Sequence, residues 1–172
     1  MATPLIEQDH SYSVVASYHQ FYLRDREAPH DEGSASFWTR DAFAARLALG
    51  RGLIGVGTES AGEVQVAVQI RTTEPSADDL DSWDHVVEGP LRVSSGRMIV
   101  HGVDDVGMED TDPNVSARQF SLPPGSYRVR VHGAGFSTVV DEEGDDSYHL
   151  LIWPAPAAER RVLKQAPVPG DG

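Results

Sequence analysis

The sequence predicts a mainly β protein, an antiparallel β-sandwich or flattened barrel with one short helix. Three observations predict it. Apolar residues recur with a period of two through most of the chain, Gly, Pro and Ser interrupt them at the short intervals of a sandwich, and a single segment has helical periodicity.

Between His10 and Asp25 the chain reads SYSVVASYHQFYLR, rich in Tyr, Val and Phe and without Gly or Pro, which predicts one long first strand. Alternation places Tyr12, Val14, Ala16, Tyr18, Gln20 and Tyr22 on one face and Val15, His19, Phe21 and Leu23 on most of the other. Gly33 to Ser36 reads as loop. Thr39 is then an N-cap for DAFAARLALG, with Asp41 in the first turn and Gly50 at C′, so a helix of about three turns is expected over residues 39–49 with Phe43, Leu47 and Ala44 as its apolar stripe.

Strands follow at 53–58, 63–71, 84–89, 91–94 and 97–102. In the second of these Val64, Val66, Val68 and Ile70 alternate with Glu63, Gln65, Ala67, Gln69 and Arg71, one face for a core and one for water. Ser94-Ser95-Gly96 reads as a tight hairpin turn, and Leu122-Pro123-Pro124-Gly125-Ser126 as a turn into SYRVRVHG. A last strand spans Ser147 to Pro154, where proline removes a ladder donor. Eight or nine strands result. The expected organisation is an N-terminal extension over 1–10, one sandwich domain over 11–154 and a tail over 155–172. Pro156, Pro167, Pro169 and a Gly-Asp-Gly end give that tail a frayed character, with order fading after about Leu163.

The 172 residues hold 14 Lys+Arg, 27 Asp+Glu and no cysteine. A domain of this size buries roughly 70% of the surface its unfolded chain exposes, so no disulfide or structural metal is needed. Absence of cysteine excludes thiol chemistry and a zinc ribbon. A net charge of −13 argues against direct binding to nucleic acid or an anionic membrane. The start, MATPLIEQDH, lacks the basic and apolar regions of a signal peptide, which leads to the expectation of a cytoplasmic protein.

The charge is uneven. Residues 1–71 hold 9 acids and 6 bases, residues 72–150 hold 16 and 5, and residues 151–172 hold 2 and 3, so the middle carries −11 of the −13. Three clusters make this excess: Asp78, Asp79, Asp81, Asp84 and Glu88; Asp104, Asp105, Glu109, Asp110 and Asp112; and Asp141, Glu142, Glu143, Asp145 and Asp146. All are expected in turns or at strand ends. Such blocks keep an acidic protein soluble, and they equally suit a surface that docks a basic protein with fast, salt-sensitive association. The second and third clusters are the predicted partner-binding residues.

Catalytic residues, metal ligands and cofactors are not expected. Asp110-Thr111-Asp112-Pro113-Asn114 matches the first alternating oxygens of a calcium loop, but Val115 and Ser121 stand where Gly and Glu are required. The seven histidines show no metal-ligand spacing; His19, His132 and His149 lie in predicted strands and read as hydrogen-bonded strand histidines. Gly135-Phe136-Ser137-Thr138-Val139 lacks the second glycine of a nucleophile elbow, and Gly50-Arg51-Gly52 follows a predicted helix rather than a strand. Trp38, Trp83 and Trp153, each at the edge of an element, are expected to pack at the core or its rim.

Three segments in order, Ser17-Tyr18-His19-Gln20-Phe21, Leu122-Pro123-Pro124-Gly125-Ser126-Tyr127 and Asp146-Ser147-Tyr148, resemble the ComJ competence-protein family. The resemblance covers residues 11 to 154 and is most specific at Ser17 to Phe21; the acidic loops are longer here. It implies a bacterial, non-catalytic inhibitor of a DNA-uptake or toxin-type nuclease, whose basic groove fixed carboxylates would fill. The alternatives are a calcium- or carbohydrate-binding sandwich module and a domain with no inhibitory role.

Overall fold

Alternating valines along residues 63–70 do bury one face of a strand. The computed structural model describes residues 4–31 and 33–167. Val64, Val66, Val68 and Ile70 are buried there, while Glu63 and Gln65 face water. Among the described residues the chain forms β1 (Gln8–Val15), β2 (Gln20–Asp25), α1 (Arg40–Ala45), β3 (Leu47–Gly50), β4 (Leu53–Gly57), β5 (Glu63–Ile70), β6 (His85–Val93), β7 (Arg97–Gly102), α2 (Pro113–Ser116), β8 (Gln119–Ser121), β9 (Gly125–Ala134), β10 (Ser147–Pro154) and β11 (Arg161–Lys164). Two sheets result, β1-β5-β10-β9-β6-β11 and β3-β4-β2-β7-β8. Their pairings are antiparallel except for β5 with β10, which is parallel. Val66, Val131 and Leu150 of the larger sheet share one buried cluster with Phe21, Ile54 and Val100 of the smaller. The fold is the expected β-sandwich. No helix among the described residues is long and apolar enough to cross a membrane.

Several expectations are corrected. The single first strand is two strands in different sheets, separated by a 3₁₀ turn at Ser17–His19 in which Tyr18 and His19 both have φ of 61°. The turn shifts the alternation by one residue. Phe21 and Leu23 therefore join Val14 and Ala16 in the main core, and Tyr22 packs instead in a second cluster with Phe37, Ala42, Ala48 and Leu53. The first strand also begins at Gln8, within the expected N-terminal extension.

The helix starts where its cap predicts, with Thr39 Oγ1 accepting from the Ala42 amide at 3.1 Å, but it ends after six residues. Arg46 turns left-handed at φ 58°, and Leu47–Gly50 pairs with β4 rather than continuing the helix. Leu47 then enters the main core, and Phe43 is left 66% exposed. Helical propensity in a run this short yields to a strand partner that buries Leu47, half-buries Leu49 and pairs the ladder groups.

Ser94-Ser95-Gly96 joins no hairpin, because β6 lies in one sheet and β7 in the other. Asp25 clamps this crossing: its Oδ2 accepts from the amides of Ser94 at 2.6 Å and Ser95 at 3.0 Å, and Oδ1 from Glu27 at 2.9 Å. Burial alone would raise the Asp25 pKa; the hydrogen bonds from Ser95, Ser94 and Glu27 outweigh it and hold the carboxyl below its ordinary range. The two runs at 84–89 and 91–94 are one strand, β6, in which Pro90 sits beyond the residues that pair with β11.

The expected frayed tail contributes β11, antiparallel to β6. Arg128 holds its approach through the carbonyls of Ala158 at 2.8 Å and Glu159 at 2.7 Å, and the Ala166 amide donates to His85 Nδ1 at 3.0 Å. Pro169 and the Gly-Asp-Gly end lie outside the described residues.

Candidate docking site

Strand registers decide which loops meet. Val15 pairs with Glu63, Ser147 with Ala134, and Gly133 with His85 in the larger sheet; Gln20 pairs with Gly57 and Phe21 with Gly102 in the smaller. The end of β1, the start of β2, the β4–β5 loop, the exit from β7 and the 135–146 loop therefore lie at one end of the sandwich. Gly102 is required there, since a Cβ on it would come within 2.4 Å of the Val15 carbonyl oxygen.

The corner of this end is the Ser17–His19 turn. Ser17 Oγ donates to Asp104 Oδ2, and His19 Nε2 meets Glu142 Oε1 at 3.2 Å while its Nδ1 lies 3.2 Å from the Glu59 carbonyl. Ser17, Tyr18, His19, Asp104 and Glu142 thus line one recess. Glu142 tops a tight turn in which Val140 and Glu143 exchange backbone bonds of 2.8 and 3.1 Å. Asp141 and Glu142 there have φ of 51° and 71°, the paired positive values that a type I′ turn needs and that Asn or Gly ordinarily supply. At the base of the loop Gly135 has φ 79°, and a Cβ would lie 2.6 Å from the Asp145 carbonyl.

On the other side of Tyr18 runs a groove of about 510 Å³, walled by Tyr18, Trp38, Phe43, Ala44 and Gly57. Trp38 packs edge-on against Phe37 and tilted against Phe43. Arg46 closes the floor, its guanidinium 2.8 Å from Glu59 Oε2 and 4.7 Å above the Phe136 ring. Tyr18 itself is 75% exposed. Sequence reasoning missed this groove, because alternation assigned Tyr18 to a strand face and the helical stripe assigned Phe43 to the core.

The predicted docking carboxylates divide into two groups. Asp104, Asp141, Glu142, Glu143 and Asp145 are exposed at or beside the corner. The others are buried or held by an arginine or a backbone amide, although Asp110 stays exposed as it pairs with Arg26. Glu109 is buried, 2.5 Å from the Arg24 guanidinium. Burial would raise its pKa, but its own amide and the charges of Arg24, His101 and His30 bring it below the ordinary value. Asp105 pairs with Arg118 and also caps the Gly102 amide. Asp110 pairs with Arg26, and Asp112 caps α2 through the Asn114 amide, so two of the three side chains of the calcium-like pattern are already engaged. Asp146 is buried, accepting from Tyr148 Oη at 2.6 Å and the Ser60 amide at 3.1 Å, while the Glu59 amide donates to Tyr148 Oη. Desolvation and this Asp146 contact push the Tyr148 hydroxyl far above its ordinary pKa. In the first cluster, Glu88 lies buried between Arg128 and Arg130, and Asp84 accepts from the Phe136 amide.

Among the described residues no three His, Asp or Glu side chains are placed to hold a metal ion. His132 and His149 are direct cross-strand partners, with rings 5.7 Å apart and both against Trp83; His19 lies apart at the corner. Desolvation pushes His132 down to about 4, and also lowers His149. Trp153 is buried beneath the Arg130 guanidinium, 4.8 Å from its ring centroid.

No family model and no curated protein matches this chain. Two solved structures do. One is ComJ, inhibitor of the DNA degrading activity of NucA, from Bacillus subtilis, at 15% identity and a TM-score of 0.62, covering 88% of this chain and 100% of that one. The fold resembles that of ComJ. The other is the product of crocagin biosynthetic gene J, at 18% identity and a TM-score of 0.55, with the same coverage. At these identities the likeness establishes shared architecture.

Proposed function

We propose that this chain is a non-catalytic binding protein whose acidic end docks a basic protein, with a nuclease as the partner class. The observation that carries the reading is the sorting of the carboxylates. Glu88, Glu109 and Asp146 are consumed inside the fold, whereas Asp104, Asp141, Glu142, Glu143 and Asp145 are exposed around one corner, three of them on or next to a tight turn. A nuclease must offer cations to phosphates, and carboxylates fixed on a rigid sandwich occupy the same place without being cleaved. The likeness to ComJ, an inhibitor of a nuclease, supports the choice of partner.

The test is a DNA-degradation assay with purified DNA-degrading nucleases, NucA among them, titrated with this protein. Stoichiometric inhibition is expected, weakening from about 50 to about 500 mM salt as screening shortens the Debye length. Converting Asp104, Asp141 and Asp145 to Asn, and Glu142 and Glu143 to Gln, should slow association about tenfold or more. Inhibition indifferent to salt and to these changes, or none with any nuclease, would overturn the proposal.

A further inference from the structure

Two exposed aromatic rings and two left-handed residues coincide at the corner, and the carboxylates alone do not account for them. Tyr18 is 75% exposed and Phe43 66%, both on the wall of the same groove. Consecutive φ values of 61° at Tyr18 and His19 lie in the left-handed region that non-glycine residues rarely adopt, and Tyr18 stands between the groove and the acidic recess, lining both. A groove of about 510 Å³ falls in the roughly 300–1,000 Å³ range of sites that take ligands.

We infer that this groove is the anchor of the docking end, and that it takes an apolar side chain of a basic protein segment whose neighbouring Lys or Arg reaches Glu142 and Asp104. The partner class rests on the docking reading above; the location does not. Charge selects the occupant. Asp104 and Glu142 line the recess on one side of Tyr18, and Asp141 and Glu143 flank Glu142 in the chain. Arg46, the cation on the floor, is already engaged by Glu59 and Phe136, which leaves Arg40 on the far wall. A segment with its cations toward the recess and its apolar residue in the groove meets complementary charge; an acidic segment does not. Apolar centre with charged rim is the usual anatomy of an interface, and Tyr and Trp are the residues that most often dominate its energy. The division of labour follows: the groove governs how long a complex lasts, the carboxylates how fast it forms.

The experiment pans a phage-displayed library of random peptides, about twelve residues each, on the full chain, then measures one enriched peptide by surface plasmon resonance. Enriched peptides should carry Leu, Met, Phe or Trp beside Lys or Arg. Tyr18→Ala and Phe43→Ser should each raise the dissociation rate about tenfold with little change in association rate, at an unchanged melting temperature. Glu142→Gln with Asp104→Asn should slow association and flatten its salt dependence. Basic peptides indifferent to Tyr18→Ala and Phe43→Ser, or no enrichment at all, would overturn the anchor. Apolar peptides without cations, sensitive to Tyr18→Ala but not to Glu142→Gln, would instead sink the acidic docking reading and leave the groove standing.

Discussion

Replacing Glu88 by Gln tests the claim that this acidic protein keeps two kinds of carboxylate. Glu88 is 6% exposed, with Oε1 3.2 Å from Arg128 Nε and Oε2 3.1 Å from Arg130 Nε. Both guanidiniums are buried, so removing the carboxylate strands two cations away from water. Breaking a buried ion pair from one side costs about 3–5 kcal/mol. The lower end applies here, since Arg128 keeps the carbonyls of Ala158 and Glu159, and Arg130 keeps that of Pro75 and a looser contact of 3.5 Å with Glu74. A loss of about 3 kcal/mol corresponds to about 6–12 °C in melting temperature for a chain of this size. Urea unfolding and calorimetry read both quantities. Glu142→Gln, at an exposed site, is the matched control and should move stability by less than about 0.5 kcal/mol. Equal, small effects of the two substitutions would refute the division into structural and surface carboxylates.

Two further outcomes are expected. Desolvation lowers His132, His149 and His85 below the ordinary histidine value, so the folded state resists protons that the unfolded state accepts. Stability should therefore be level above about pH 6.5 and fall as the pH drops toward 4, with His132 contributing up to about 3 kcal/mol. Urea midpoints measured across that range check this; a flat profile down to pH 4.5, or an undiminished slope in His132→Gln, would contradict it. Tyr18→Asn places a residue tolerant of left-handed backbone at φ 61° and should raise stability by about 0.5–1 kcal/mol while weakening peptide binding. A loss of stability in thermal melts would show that the Tyr18 ring, rather than the turn, supports the corner.

Much of the fold was legible because side-chain alternation is a local property. The valines of β5, the Thr39 cap and the limits of β10 follow from neighbouring residues alone, and the structure keeps each of them. Alternation says which face a residue takes, not which sheet it joins. Nothing local distinguishes SYSVV from QFYLR, so only the tertiary structure reveals that a left-handed turn at Tyr18 and His19 carries the chain from one sheet to the other. Leu47–Gly50 reads as helix until β4 offers a ladder, and Arg161–Lys164 reads as tail until β6 does. Charge behaves the same way. The sequence by itself determined that residues 72–150 are acidic, since that is a count. Whether a carboxylate faces solvent or an arginine depends on residues far away in the chain, as Glu88 does on Arg128 and Arg130, and Glu109 on Arg24. The tertiary structure decided which acids stay exposed, because burial and pairing are set by the register of strands that the sequence brings together only after folding.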